Sequence, residues 1–122
     1  LALVGRGDVE LILTHSTSGE YTRHRRHEET GAAVLALWDA GRIRSREIWS
    51  FAYQDAEGRQ AVGAAKEADV FTVLTDDIWA RKRDLIMSVY GFAPDSFEAK
   101  AALREEAFWR VRPIVGLVNG ES

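Results

Sequence analysis

The segment over residues 9–40 constrains the fold of this chain most, because an apolar run, a polar stretch and a helix-like run follow one another directly. Residues 9–13 (VELIL) predict a short, mostly apolar strand, a pattern typical of a strand covered on both faces. Residues 15–26 show neither strand nor helix periodicity and are rich in Ser, Thr, Gly and charge, which predicts a loop. From about residue 27 to residue 40 the chain is apolar nearly all round, which predicts a well-buried helix that ends at Gly41.

Strands that alternate with helices continue along the chain, and they predict an α/β fold, Rossmann-like, with a mostly parallel sheet and flanking helices. We expect residues 1–122 to form part of a single domain. Three predicted strands make a narrow sheet and the chain opens almost directly on one of them, so we expect the sheet to be incomplete and the chain to be a fragment. The further elements are strands over 47–53 and 70–74, a helix from Thr75 to about Tyr90 with Ile78, Leu85, Ile86 and Val89 facing inward, a helix from a capping box at 95–98 to about Trp109, and a tail over 113–122 that is either a short strand or loose.

Composition narrows the chemistry and the partners. The chain has no cysteine, so any metal would be held by His, Asp or Glu. A net charge of -3 argues against nucleic acid as a partner, and no apolar run approaches the roughly 20 residues of a membrane span. Since no leader is visible either, we expect a cytoplasmic protein. Aromatic residues on an incomplete sheet would leave apolar surface exposed that a partner would have to bury, so a homo-oligomer is possible.

All the histidines of the chain fall in the predicted loop and at the start of its helix. His24 and His27 are three residues apart at a helix start, so both can face one point. Neutral imidazole is a good zinc ligand, and a second imidazole beside a metal can act as an acid or stabilise an oxyanion. The alternative is that both are solvated members of a basic loop that also carries Arg23, Arg25 and Arg26.

The surrounding residues resemble the carboxy-terminal metal motif of the PIG-L/LmbE family of zinc-dependent deacetylases, which includes GlcNAc-PI de-N-acetylase-like proteins. In that family an apolar strand ends in a Thr-His or similar pair, followed by Gly-(Glu or Gly)-Tyr and by His-x-x-His at a helix start. The residues that carry the resemblance here are Thr14-His15, Gly19-Glu20-Tyr21, His24 and His27, with looser agreement at Lys82 and at Glu106-Ala107-Phe108.

The resemblance implies a role for each matching residue. His27 would be a ligand of Zn²⁺, His24 would stabilise the tetrahedral intermediate or protonate the leaving amine, and Tyr21 would be a mobile phenol that hydrogen-bonds the oxyanion. The implied reaction is metal-assisted hydrolysis of an N-acetyl group on a sugar or related small molecule. The family's first metal ligands and its general base lie in a His-Pro-Asp-Asp-Glu motif that this sequence lacks, so we expect them upstream and expect this chain alone to be inactive.

Three further residues are candidates for substrate binding, and each has a second interpretation. His15 could touch substrate or form a structural hydrogen bond, and Glu20 could bind sugar hydroxyls or the N–H of a metal-ligating imidazole. Arg23 could hold an anionic group of the substrate, or the arginines could simply pair with Glu20, Glu28 and Glu29. The alternative function is a non-catalytic module that binds an anionic ligand through this Arg-rich loop.

Overall fold

The computed structural model describes residues 8–56 and 61–112, and in this part of the chain four consecutive strands separate the first helix from the second. The first predicted strand and the helix after it are confirmed. The helix starts two residues earlier than expected and ends before Gly41, whose backbone is left-handed (φ +70°). The elements in chain order are β1 (Val9–Thr14), α1 (Arg25–Asp39), β2 (Ser45–Phe51), β3 (Tyr53–Ala56), β4 (Ala61–Ala64), β5 (Val70–Val73), α2 (Asp76–Asp84), a π-helical segment (Leu85–Val89), α3 (Phe97–Lys100) and β6 (Glu105–Val111).

The strands form a four-stranded sheet in the order β1-β2-β6-β5 and a separate two-stranded antiparallel sheet of β3 and β4. β1 runs parallel to β2, with Thr14 opposite Ser50, whereas β6 runs antiparallel to both β2 and β5. The carboxyl ends of β1, β2 and β5 therefore meet the amino end of β6 at one edge of the four-stranded sheet. This shared edge carries the candidate site.

The prediction of a Rossmann-like, mostly parallel sheet is wrong. Within the described residues, only one of the three pairings in the four-stranded sheet is parallel. The cause is β6, the strand between β2 and β5, because it includes the last residues of the helix that was predicted to run to about Trp109. Aromatic and β-branched residues favour strands, and here the ring of Phe108 packs 5.7 Å from Trp49 and 5.9 Å from Phe51 across β2.

The other departures are at element boundaries. The third helix is a single turn, although its predicted cap is confirmed because the Ser96 hydroxyl accepts a hydrogen bond from the Ala99 N–H. The strand predicted over 47–53 is interrupted at Ala52, where the backbone leaves β2 and begins the β3–β4 hairpin. β4 was not predicted, and the tail over 113–122 lies outside the described residues.

Two expectations about helix burial are also wrong. In α1 only Gly31 is buried, and Ile78, Leu85 and Val89, expected to face inward, are 48%, 48% and 69% exposed. On α2 the side chains of Trp79 and Lys82 face the body of the protein, where they donate hydrogen bonds to the carbonyls of Ala102 and Leu103. Of the four residues that were expected to face inward, Ile86 alone is half-buried. None of the helices in the described part of the chain is both long and apolar enough to span a membrane.

Candidate metal centre

The candidate site begins where β1 ends, because α1 packs directly against the backbone of His15. A Cβ on Gly31 would lie 2.4 Å from the His15 carbonyl oxygen, so only glycine permits this approach. His27 lies four residues before Gly31 on α1, and residues four apart share a helix face. The close approach of helix to strand end therefore brings the His27 side chain over His15.

The rings of His15 and His27 stack, with centroids 3.9 Å apart and planes 9° from parallel. Both bond the same carboxylate: Nδ1 of His15 lies 2.8 Å from Oε1 of Glu20, and Nδ1 of His27 lies 3.3 Å from Oε2. The Glu20 side chain is 4% exposed, whereas each imidazole is about one-third exposed. A buried carboxylate needs such partners, because burial without them is costly.

A tight turn returns Glu20 to the end of β1. Gly19 adopts a left-handed conformation (φ +86°), and its N–H donates to the Ser16 carbonyl at 3.4 Å. The Ser16 N–H in turn donates to Oε1 of Glu20 at 3.4 Å, and the hydroxyls of Ser16 and Ser18 are 3.0 Å apart. The apparently irregular loop is thus organised around the Glu20 carboxylate.

The group formed by His15, Glu20 and His27 could hold a metal ion, since one ligand atom from each lies within 4.8 Å of the others. Two imidazole nitrogens and a carboxylate oxygen are donors that suit zinc and also several other divalent metals. The donor chemistry therefore fits a metal centre. Because the two rings are nearly parallel, their in-plane lone pairs run side by side, and at least one ring must turn before both can point at one ion.

The residues predicted to be catalytic lie beside this group. His24 is the exposed N-cap residue of α1, with its ring 4.6 Å from that of His27. The ring of Tyr21 lies 6.4 Å from His24 and 5.4 Å from Phe97 at the start of α3. The structure thus places the ring of His24 between those of Tyr21 and His27, and the spacing had predicted the proximity of the two histidines; the roles of all three residues stay predictions.

The arginines of the loop are engaged by neighbouring carboxylates. Arg23 bonds Glu28 at 2.6 Å, and this hydrogen bond lowers the pKa of the Glu28 carboxyl. Arg25 and Arg26 both bond Glu29, at 2.8 and 2.9 Å. The expected pairing with Glu28 and Glu29 is confirmed. Pairing with Glu20 is wrong, because the described contacts of that carboxylate are with the histidines and the Ser16 N–H.

A second polar network, absent from the sequence predictions, lies at the same sheet edge. The Tyr53 hydroxyl donates to Oε2 of Glu106 at 2.5 Å, and Nζ of Lys82 donates to Oε1 of Glu106 at 2.6 Å and to the Leu103 carbonyl at 2.8 Å. In the sequence, Lys82 and Glu106 stand out only through the family resemblance. Tyr53 offered no local signal, because its partners are distant in the sequence.

Phe51 lies between the two groups. Its ring is 5.3 Å from His15, edge to face, and 6.1 Å from the ring of Tyr53. Burial raises the pKa of the Tyr53 phenol well above its ordinary value, and the hydrogen bond to Glu106 and the negative charges of Glu106 and Glu20 raise it further. Glu20 makes the smallest of these contributions, so the phenol responds mainly to its own burial and to Glu106.

No known protein family, no curated protein and no solved structure matches this chain. The resemblance to the zinc-dependent deacetylases therefore rests on sequence motifs alone and stays a prediction. The geometry of the site has to be interpreted from its own chemistry.

Proposed function

We propose that this chain supplies part of the active site of a zinc-dependent hydrolase that removes an N-acetyl group from a sugar or related small molecule. The observation that carries the proposal is the His15–Glu20–His27 group, whose ligand atoms lie within 4.8 Å of one another. It lies at the carboxyl end of a parallel strand, where α/β proteins commonly place their sites. The motif resemblance adds the reaction type.

Each neighbouring side chain has a task in this reaction. Bound zinc supplies Lewis acidity, which polarises an amide carbonyl and favours deprotonation of an attacking water. His24, which is exposed beside His27, would donate the proton of one ring nitrogen to the leaving amine. The Tyr21 phenol donates a hydrogen bond to the developing oxyanion, while the carboxylate of Glu20 orients the imidazoles through their Nδ1 atoms.

The test is the zinc content and deacetylase activity of the full-length protein that contains this chain, compared with its His27→Ala variant. We expect about one zinc per chain and release of acetate from an N-acetylglucosamine conjugate, with both lost in the variant because an imidazole ligand is removed. The matched control is Arg26→Ala, one residue away and highly exposed, which should keep both. A metal-free parent, or a His27→Ala variant that retains its zinc, would contradict the proposal.

The ion pairs of the loop favour the hydrolase over the module that binds an anionic ligand. Arg23, Arg25 and Arg26 already bond Glu28 and Glu29, so a phosphate or carboxylate would have to displace those acidic partners. Exposed pairs of this kind are weak, so the displacement is possible but lowers the net gain on binding.

A further inference from the structure

The ring of Phe97 packs against the ring of Tyr21, and we infer that Phe97 is a positioning residue that holds the Tyr21 phenol beside the metal centre. The two ring centroids lie 5.4 Å apart with the planes tilted by 48°, a geometry within the range of favourable aromatic pairs. The inference rests on the proposed function, in which the phenol stabilises the oxyanion. It adds a residue of α3, an element that none of the sequence motifs of the site includes.

The turn that carries Tyr21 is tight, so its ring needs support from outside the turn. A Cβ on Gly19 would lie 2.9 Å from the Thr22 carbonyl oxygen, which shows how closely the backbone folds around Tyr21. The side-chain torsions of Tyr21 therefore decide where its hydroxyl lies. The ring of His24 is 6.4 Å away, is exposed and belongs to the same segment. Phe97 is the nearer ring and comes from a distant part of the chain, so it can fix the phenol relative to the body of the protein.

Phe97 is itself held in place by its position at the start of α3. The hydroxyl of the preceding Ser96 donates a hydrogen bond to the Ala93 carbonyl at 2.6 Å and accepts one from the Ala99 N–H at 3.2 Å. Ala99 is 4% exposed, so this helical turn is packed against the body of the protein. The Phe97 side chain is 45% exposed, which leaves room for it to be truncated without opening the core.

The support matters most when the oxyanion develops. An unsupported phenol samples several rotamers, and only some of them bring its hydroxyl to the reacting carbonyl. The ring of Phe97 excludes the rotamers that would enter its own volume, so the donor is oriented before the reaction begins. Because this interaction strengthens in the transition state, its loss lowers kcat and leaves KM unchanged. A Phe97 ring that bound substrate directly would change KM instead.

The experiment is a steady-state deacetylase assay of the full-length protein with an N-acetylglucosamine conjugate, for the parent, Phe97→Ala, Tyr21→Phe and the double variant. We expect Phe97→Ala to lower kcat about tenfold to 100-fold at unchanged KM, and Tyr21→Phe to lower it about 100-fold or more. In the Tyr21→Phe background, Phe97→Ala should cost little more, because the hydroxyl through which Phe97 acts is gone. An equal cost in both backgrounds, or a raised KM at unchanged kcat, would overturn the inference and leave the proposed function standing.

Matched variants separate the ring contact from folding. Phe97→Tyr keeps a ring against Tyr21 and should recover most of the lost kcat, whereas Phe92→Ala removes a ring that is 39% exposed in the preceding loop and should leave kcat unchanged. Phe97→Ala should keep the zinc content of the parent, because Phe97 lies outside the group of candidate ligands.

A measurement on the unmodified protein tests the contact without any assay of activity. In proton NMR spectra of the parent, the rings of Tyr21 and Phe97 should show a nuclear Overhauser effect between them, and its absence would overturn the inference alone. A parent that shows this effect but has no deacetylase activity would overturn the proposed function, and the role assigned to Phe97 would fall with it.

Discussion

Two carboxylate networks share one edge of the sheet, and they differ in how they are built. Glu20 bonds His15 and His27, which lie five and seven residues away along the chain. Glu106 bonds Lys82 and Tyr53, which lie 24 and 53 residues away and belong to α2 and β3. The first network is made by one loop and the helix that follows it, whereas the second ties three separate elements together.

The partners of the two carboxylates also differ in what they can exchange. An imidazole can give up a hydrogen bond and bind a metal through the same nitrogen, so the Glu20 network can change state. The Lys82 ammonium has no lone pair while it is charged, so it can only stay paired with Glu106. The Glu20 network is therefore suited to metal binding, and the Glu106 network is suited to stabilising the edge of the sheet on which the site lies.

The largest expected effect tests whether the Glu20 network depends on the close approach of α1. Gly31→Ala would place a methyl group against the His15 carbonyl, so we expect a loss of about 3 kcal/mol in the free energy of unfolding, measured by urea denaturation. Without the clash, alanine would stabilise a helix by up to about 1 kcal/mol. Thr30→Ala, at an exposed neighbouring position, is the control and should change stability little. A stabilised Gly31→Ala variant would show that the contact does not hold the two rings together.

The next effect tests whether the Glu106 network is a structural brace. Lys82→Met leaves Glu106 without its cation, and we expect a loss of about 2 kcal/mol in unfolding free energy, less than for a fully buried pair because both side chains keep some exposure. The double variant with Glu106→Gln should recover part of that loss, and the exposed Lys100→Met should cost little. Zinc binding should persist in Lys82→Met. Loss of zinc binding without loss of stability would show that the Glu106 network takes part in the metal site and is not a structural brace.

The smallest effect concerns the phenol between them. Tyr53→Phe removes one hydrogen bond to a charged group and should cost about 1 kcal/mol, whereas Tyr90→Phe, at a 75% exposed position, should cost almost nothing. Because folding raises the pKa of Tyr53, the folded state keeps this proton at a pH where the unfolded chain has lost it. The contribution of the protonated Tyr53 phenol to the free energy of unfolding is therefore present below about pH 10, and it is lost as the pH rises further. The free energy of unfolding should fall more steeply with pH across this range for the parent than for Tyr53→Phe. Equal slopes would show that folding does not raise the pKa of Tyr53.

The same contrast explains how much the sequence could predict. β1, α1, the loop between them and the Ser96 cap follow from local patterns, because the residues that decide them lie within one turn or one strand. The gathering of Tyr21, His24 and His27 is also local. By contrast, Glu105–Val111 follows an alanine-rich stretch that favours a helix, and its strand conformation depends on pairing with β2 and β5. The Tyr53–Glu106 bond could not be foreseen for the same reason, since only the folded sheet brings these residues together.

The contact of Gly31 with the end of β1 also has a consequence for protein engineering. Residues 14–31 contain the Glu20 network together with Gly31, which sets the distance between α1 and the end of β1. These residues could therefore be grafted as one segment onto another scaffold. The acceptor needs only a strand whose carboxyl end is overlaid by a helix at the same close distance. A graft that keeps every histidine and replaces Gly31 would carry the donor atoms without the spacing that makes them neighbours.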